Sequence, residues 1–265
     1  MLDGSPQAQA ATTAPAPPGE AIRLLGLDFA NCPLPEVAAI LAARPADAPF
    51  AYVLTAHSHQ LVRLSREADL RPLYEGAWMR LLGSRVVFKL CRMLALPAPA
   101  VIPGYDLSAH LIAREIDRDE PVALLGLGPQ GVASLKARTG LRRIAHHNPP
   151  AGFENDPAAF EKALRFIETH PARFIFLALG SPQQCQVADH LRQRGRASGV
   201  GLCIGEGLLP LTGQERRAPR AVQQMGLDWA WRLAQDPRRL ARRYLLESPA
   251  IVALLRQEAQ DRGLI

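Results

Sequence analysis

Three clusters in this 265-residue chain have the residue types and spacing to do chemistry. The first is Thr55-x-His57-x-His59, where the apolar run FAYVLTA ends. Strand alternation would point all three side chains to one face. An imidazole, with an unperturbed pKa of about 6.5, can accept a proton at neutral pH. The second cluster is glycine-rich. Gly126-Leu127-Gly128-Pro129-Gln130-Gly131 matches G-x-G-x-x-G directly after an apolar run, and bare backbone N–H groups at a helix start suit a diphosphate. A second turn, Gly180-Ser181-Pro182-Gln183-Gln184, follows RFIFLAL. The third cluster interleaves Arg216, Arg217, Arg220, Arg232, Arg238, Arg239, Arg242 and Arg243 with Trp229, Trp231 and Tyr244. Indole rings sit at headgroup level in a bilayer, where each nearby Arg contributes about 1 kcal/mol with anionic lipid. The same composition also fits a helix packed on the body with a solvated basic face.

Several chemistries fall away on spacing. An NAD site needs an acid about 20 residues beyond the glycines, and this chain has His146, His147 and Asn148 there. The glycines then serve either a phosphate or a tight turn. No HExxH, no carboxylates paired at helical spacing and no third ligand accompany the histidines, so no metal site is predicted. Cys32, Cys91, Cys185 and Cys203 are far apart with no C-x-x-C, which predicts buried thiols rather than a disulfide framework or a zinc knuckle. No nucleic-acid-binding motif appears. The net charge of +6 is local: from Arg216 onward ten Arg face five acids.

Elements must hold these clusters in place. Residues 5–18 contain no large apolar side chain, so 1–20 reads as a disordered tail. From about Ala21 a strand and turn lead to a helix near Pro35, then to the FAYVLTAHSH strand and helical periodicity over 60–65 and 86–94. PGYDLSAH enters a helix capped by Asp106 or Ser108. The strands PVALLGLG, LRRIAHH, RFIFLALG and GVGLCIG alternate with helices, one of them starting at Asp156-Pro157 and another stopping at Gly140. This pattern predicts an α/β fold: a Rossmann-like parallel sheet with helices on both faces plus a C-terminal helical appendage, its ligand at the carboxyl ends of the strands. The body is expected over 21–213 and the basic appendage over 214–265. With 48% hydrophobic residues, no spanning run and no basic n-region before an apolar h-region, a cytoplasmic protein is expected.

These pieces occur in the order seen in the WecG/TagA/CpsF family of bacterial glycosyltransferases, which the chain resembles from about Ala21 to Tyr244. RRAPRAVQQMGLDWAWRLAQDPRRLARRY is similar to the family's Arg-Ala-Pro run, Gly-Leu-Glu-Trp-like turn and closing Arg-rich helix. LALGSPQQ is similar to its Gly-Ser/Ala-Pro-Lys-Gln-Glu loop, and NPPAGF, PGYDL and TAHSHQLV add further matches. The resemblance implies an inverting enzyme that moves a sugar from a UDP-sugar to a polyprenyl-diphosphate-linked sugar in polysaccharide or cell-wall synthesis, with no required metal or other cofactor. It implies a cytoplasmic enzyme, peripheral on the inner face of the plasma membrane and possibly a homo-oligomer, with an anionic bilayer as a further partner. Trp229, Trp231, Arg232, Arg238, Arg239, Arg242 and Arg243 would make that contact.

Carried over by residue, Thr55 and Gln184 match active-site positions, and Gly180, Ser181, Pro182, Gly205 and Arg217 match the nucleotide-side loops, joined by Gly126, Gly128 and Gly131. The departures are His57 for an Asn, Cys185 for a Glu, Leu209 where an Asp often lies, and Gly83-Ser84 for an Asp-Gly whose Asp is the family base. Two readings follow. In one, His57, or else His59 or Glu75, transfers the proton, or His57 only donates a hydrogen bond to the sugar. In the other, the chain is a degenerate member that binds a sugar nucleotide or a partner without catalysis.

Overall fold

The computed structural model describes residues 20–241 and 249–265. A two-stranded antiparallel hairpin opens it, β1 (Ala21–Leu24) with β2 (Leu27–Ala30). Six strands follow: β3 (Ala51–Ala56), β4 (Met79–Leu82), β5 (Val122–Gly126), β6 (Ile144–His147), β7 (Phe174–Ala178) and β8 (Val200–Cys203). They form one all-parallel sheet in the order β4-β3-β8-β7-β5-β6. The helices are α1 (Leu34–Ala42), α2 (Ser58–Arg66), α3 (Arg71–Glu75), α4 (Arg85–Met93), α5 (Gly104–His110), α6 (Pro129–Thr139), α7 (Pro157–Thr169) and α8 (Gln183–Arg194). After β8 come α9 (Leu209–Thr212), α10 (Arg220–Gln224), α11 (Asp228–Gln235), α12 (Pro237–Ala241) and α13 (Ala250–Asp261).

The sheet is apolar on both faces, as a covered parallel sheet must be. Tyr52, Leu54, Leu125 and Leu177 pack into one buried layer with Leu61 and Leu191, while Val53, Leu124, Phe176 and Leu202 pack into the other with Val37 and Leu135. Local signals set the helix ends. Asp156 accepts from the Ala158 and Ala159 N–H groups and starts α7, and Gly140 takes the left-handed conformation that ends α6. The PGYDL helix begins earlier than expected, at Gly104. Asp106 therefore lies inside its first turn and Ser108 donates to Gly104 O at 2.7 Å.

The C-terminal region divides in two. Segments α10 and α11 lie over the carboxyl ends of the sheet with α12 against α11, whereas α13 returns to the body against α2 and α4. Ile251, Leu255 and Ala259 are buried in the same layer as Leu61 and Cys91. Amphipathic packing places this helix in the core, although the charge pattern had assigned all of 214–265 to one appendage.

Candidate active site

Four strand ends and the returning segment enclose a cleft, partly open to solvent, with a solvent-accessible interior of about 170 Å³. Its floor is polar and rigid. Thr55, near the end of β3, is 3% exposed and donates to Cys203 O at 3.4 Å. Gln184, in the first turn of α8, is 2% exposed, and its Oε1 accepts from the Gly205 N–H at 2.7 Å. That bond ties the β7 turn to the β8 turn. A Cβ on Gly104 would stand 3.2 Å from Thr55 Oγ1, so the start of α5 closes tightly on the floor.

Strand β3 ends at Ala56, one residue before His57, because His57 heads α2 in a reciprocal capping box. Its N–H donates to Gln60 Oε1 at 2.8 Å, and its ring accepts from the Gln60 N–H. Strand alternation therefore does not extend to His57 and His59. Both still reach the cleft, with ring centroids 6.3 Å apart. The other edge of the His57 ring covers Gly83. A Cβ at residue 83 would fall 2.9 Å from His57 Nε2 and 3.0 Å from its Cε1. The imidazole thus fills the space into which a side chain at 83 would project.

Charge in the cleft is organised by two carboxylate clasps. Asp106 takes Arg85 on Oδ2 at 3.1 Å and Arg217 on Oδ1. Arg217 also donates to Gln223 Oε1 at 3.0 Å and lies 4.1 Å over the Tyr105 ring. Arg232 is held between Glu206 at 2.8 Å and Glu215 at 2.6 Å. Asp228 also lines the cleft, and its Oδ1 is buried with no hydrogen-bond partner among the described residues. Beneath the floor, burial and the neighbouring Cys185 raise the Cys203 thiol well above its usual range, which keeps it neutral.

The expected residues are sorted by this geometry. Thr55, His57, Gln184, Gly180, Ser181, Gly205 and Arg217 line the cleft, while Pro182 stands beside it. The turns at Gly126 and Gly180 follow adjacent parallel strands, β5 and β7, yet Gly126, Gly128 and Gly131 are outside the lining. Gly126 has φ +94°, and a Cβ there would be 2.4 Å from Ala178 O, so this glycine allows β5 and β7 to close on each other. The Gly126 and Leu127 carbonyls face His146 Nε2 at 3.1 and 2.8 Å. Glu75 precedes β4, at the opposite end of the sheet, and pairs with Arg71.

The basic and aromatic cluster is partly turned inward. Arg232 is in its clasp in the cleft wall, while Trp231 Nε1 donates to Arg216 O at 3.0 Å outside the lining. Trp229 is half-buried and Arg238 is exposed. Arg239 has no described side chain, and Arg242 and Arg243 lie outside the described residues. Arg85, Glu206 and Glu215 stand in no quoted motif, while Asp106 and Asp228 lie inside PGYDL and MGLDW, matches that imply no site role for them. They are single residues on separate elements, with no shared period.

Fold and site define a Rossmann-like α/β protein with a polar, arginine-bearing cleft at its strand ends. The Glycosyl transferase WecG/TagA/CpsF family matches residues 22–263, and the chain belongs to this family. Membership supports a transferase and suggests a sugar-nucleotide donor. Among the described residues no helix is long and apolar enough to cross a membrane.

Proposed function

We propose that the protein is an inverting glycosyltransferase that moves a hexosyl or N-acetylhexosaminyl unit from a UDP-sugar to a polyprenyl-diphosphate-linked acceptor sugar. The work would take place at the inner face of the bacterial plasma membrane, in exopolysaccharide or cell-wall synthesis. The observation carrying this reading is the pair Arg85 and Arg217, which converge on Asp106 beside the Thr55 and Gln184 floor. Two guanidiniums sharing one carboxylate are preset for a diphosphate, which offers more oxygens in the same bidentate geometry.

In the reaction an acceptor hydroxyl oxygen forms a bond to the anomeric carbon as that carbon's bond to the UDP oxygen breaks on the opposite face. UDP leaves with the electron pair, and the arginines stabilise its charge. His57 donates a hydrogen bond to a sugar oxygen. Thr55 and Gln184 hold the ring, and Gly180, Ser181 and Gly205 bring backbone close to the nucleotide. The acceptor's proton goes to a carboxylate. Asp106, Glu206 and Glu215 already bind arginines, whereas Asp228 Oδ1 has no hydrogen-bond partner among the described residues. Asp228 is therefore the base in this reading.

Thermal shift against UDP and a panel of UDP-sugars tests the donor. A ligand at 100 times its dissociation constant stabilises by about 2.7 kcal/mol, and Arg217→Ala should abolish the response. Transfer to a lipid-linked acceptor tests the reaction. No shift with any uridine nucleotide would sink the reading. The loss of the side chain at Gly83 favours a second one: nucleotide shifts without transfer would identify a binding protein that has lost catalysis.

A further inference from the structure

The Gly180–Gln184 turn is gripped from outside the cleft as well as from its floor. Helix α2 brings His59 and Gln60 to the cleft lining in its first turn, and Arg63 follows on the same face one turn later. Arg63 itself is not in the lining. Its Nε and Nη2 donate to Glu67 at 2.8 and 2.7 Å, and its Nη1 donates to Ser181 O at 3.1 Å. Glu67 thus braces the guanidinium side-on, and the bond from Arg63 lowers the Glu67 carboxyl pKa, which keeps the pair ionised. The buried Tyr74 hydroxyl meets the Ser181 side chain in a further hydrogen bond.

The two sides of the turn therefore have separate anchors. Gln184 is tied to Gly205 across the floor, and Gln183 Nε2 donates to Glu154 at 2.6 Å. Ser181 depends on Arg63 and Tyr74. Pro182 has no N–H to offer a ligand, whereas the Gly180 and Ser181 N–H groups have no acceptor among the described residues. Those two donors are what the turn presents to an anion, and their aim follows from the Ser181 carbonyl that Arg63 holds. A hydrogen bond from a guanidinium is about twice as strong as a neutral one, and the planar fork fixes its direction. Glu67 offsets the charge of Arg63, so this arginine acts on the cleft through position rather than through its field.

We propose that Arg63, braced by Glu67, is a positioning residue that sets the Gly180–Ser181 side of the donor site from outside the cleft. The inference deepens the sugar-nucleotide reading and rests on it for the ligand, while one arm of its test needs no ligand. Amide exchange of the full chain is followed by mass spectrometry, alongside UDP titration and transfer kinetics. The amides of 184–186 bond to Gly180 O and Pro182 O, and Arg63→Gln should speed their exchange at least about 10-fold while leaving the Phe174–Ala178 strand unchanged. The dissociation constant for UDP and the KM for the UDP-sugar should rise at least about 10-fold, with kcat within about 2-fold. Arg63→Lys keeps the charge without the fork and should behave like Arg63→Gln. Glu67→Gln removes the brace and should move both readouts the same way by at least about 3-fold. Arg66→Gln, exposed at the end of the same helix, should change neither by more than about 2-fold. Unchanged turn exchange or unchanged UDP affinity in the Arg63 and Glu67 variants would overturn the proposal, as would full recovery by Arg63→Lys. A lowered melting temperature with turn exchange and UDP affinity unmoved would also overturn it, leaving Arg63 a contact of the fold alone. A wild type that binds no uridine nucleotide, in which Arg63→Gln still loosens the turn, would uphold the positioning and reject the transferase reading.

Discussion

His57 and Gly83 are one structural unit: the ring of the first occupies the side-chain space of the second. Gly83→Ala should therefore destabilise the protein, and His57→Ala should relieve that cost. A double-mutant cycle by urea unfolding should give a coupling of about 1 kcal/mol; additive effects would show that the ring yields freely. For catalysis, Asp228→Asn should lower turnover at least about 100-fold with UDP affinity retained, and His57→Asn should lower it less. The reverse order would make His57 the base. His147 gives a pH signature. Desolvation, then the charges of Lys162 and His146, lower its pKa below 6.5, and its Nε2 is buried with no hydrogen-bond partner among the described residues. The unfolded chain then binds this proton more readily, so stability is full above about pH 6.5 and falls as pH drops from there toward the lowered pKa. His147→Phe should flatten that part of the stability curve.

At the scale of elements, the two glycine turns have separate tasks. Gly126→Ala meets both a positive φ and the Ala178 carbonyl, and should cost on the order of 3 kcal/mol. Gly128 has nothing within 4 Å, and Gly128→Ala should change stability by less than about 0.5 kcal/mol. If Gly128→Trp also leaves the UDP response intact, the Gly126–Gly131 turn has no part in nucleotide binding. The sequence made the covered strands β3, β5, β7 and β8 readable because each is an apolar run ended by a polar or glycine turn. It hid β4, four residues of edge strand in WMRLL, too short to show a period between two helical stretches. Strand alternation carries the histidine pair one element too far for a related reason: the cap at His57 depends on Gln60 reaching back, which apolar patterning does not report.

At the scale of the whole molecule, the cleft is assembled from residues more than 170 positions apart, such as Thr55 and Arg232. Sequence motifs found the residues adjoining strand ends and could not find the charges that pair across elements. The four thiols are buried, and burial pushes Cys91 up to about 12. None should react with a disulfide reagent until the chain unfolds, and rapid labelling of the native protein would contradict this packing. The return of α13 matters beyond its buried area. Glu258 receives the Leu25 N–H at 2.6 Å and Arg262 donates to Arg23 O at 2.7 Å, so the last helix is fastened to the first hairpin. Arg217 and Arg232 are consequently carried in the chain between two elements packed on the body, β8 and α13. Covalent attachment on both sides keeps them at a local concentration in the millimolar range or above. Completing the cleft wall with these arginines is then an intramolecular event, and separately expressed 214–265 should complement a body truncated after Gly213 poorly at micromolar concentrations.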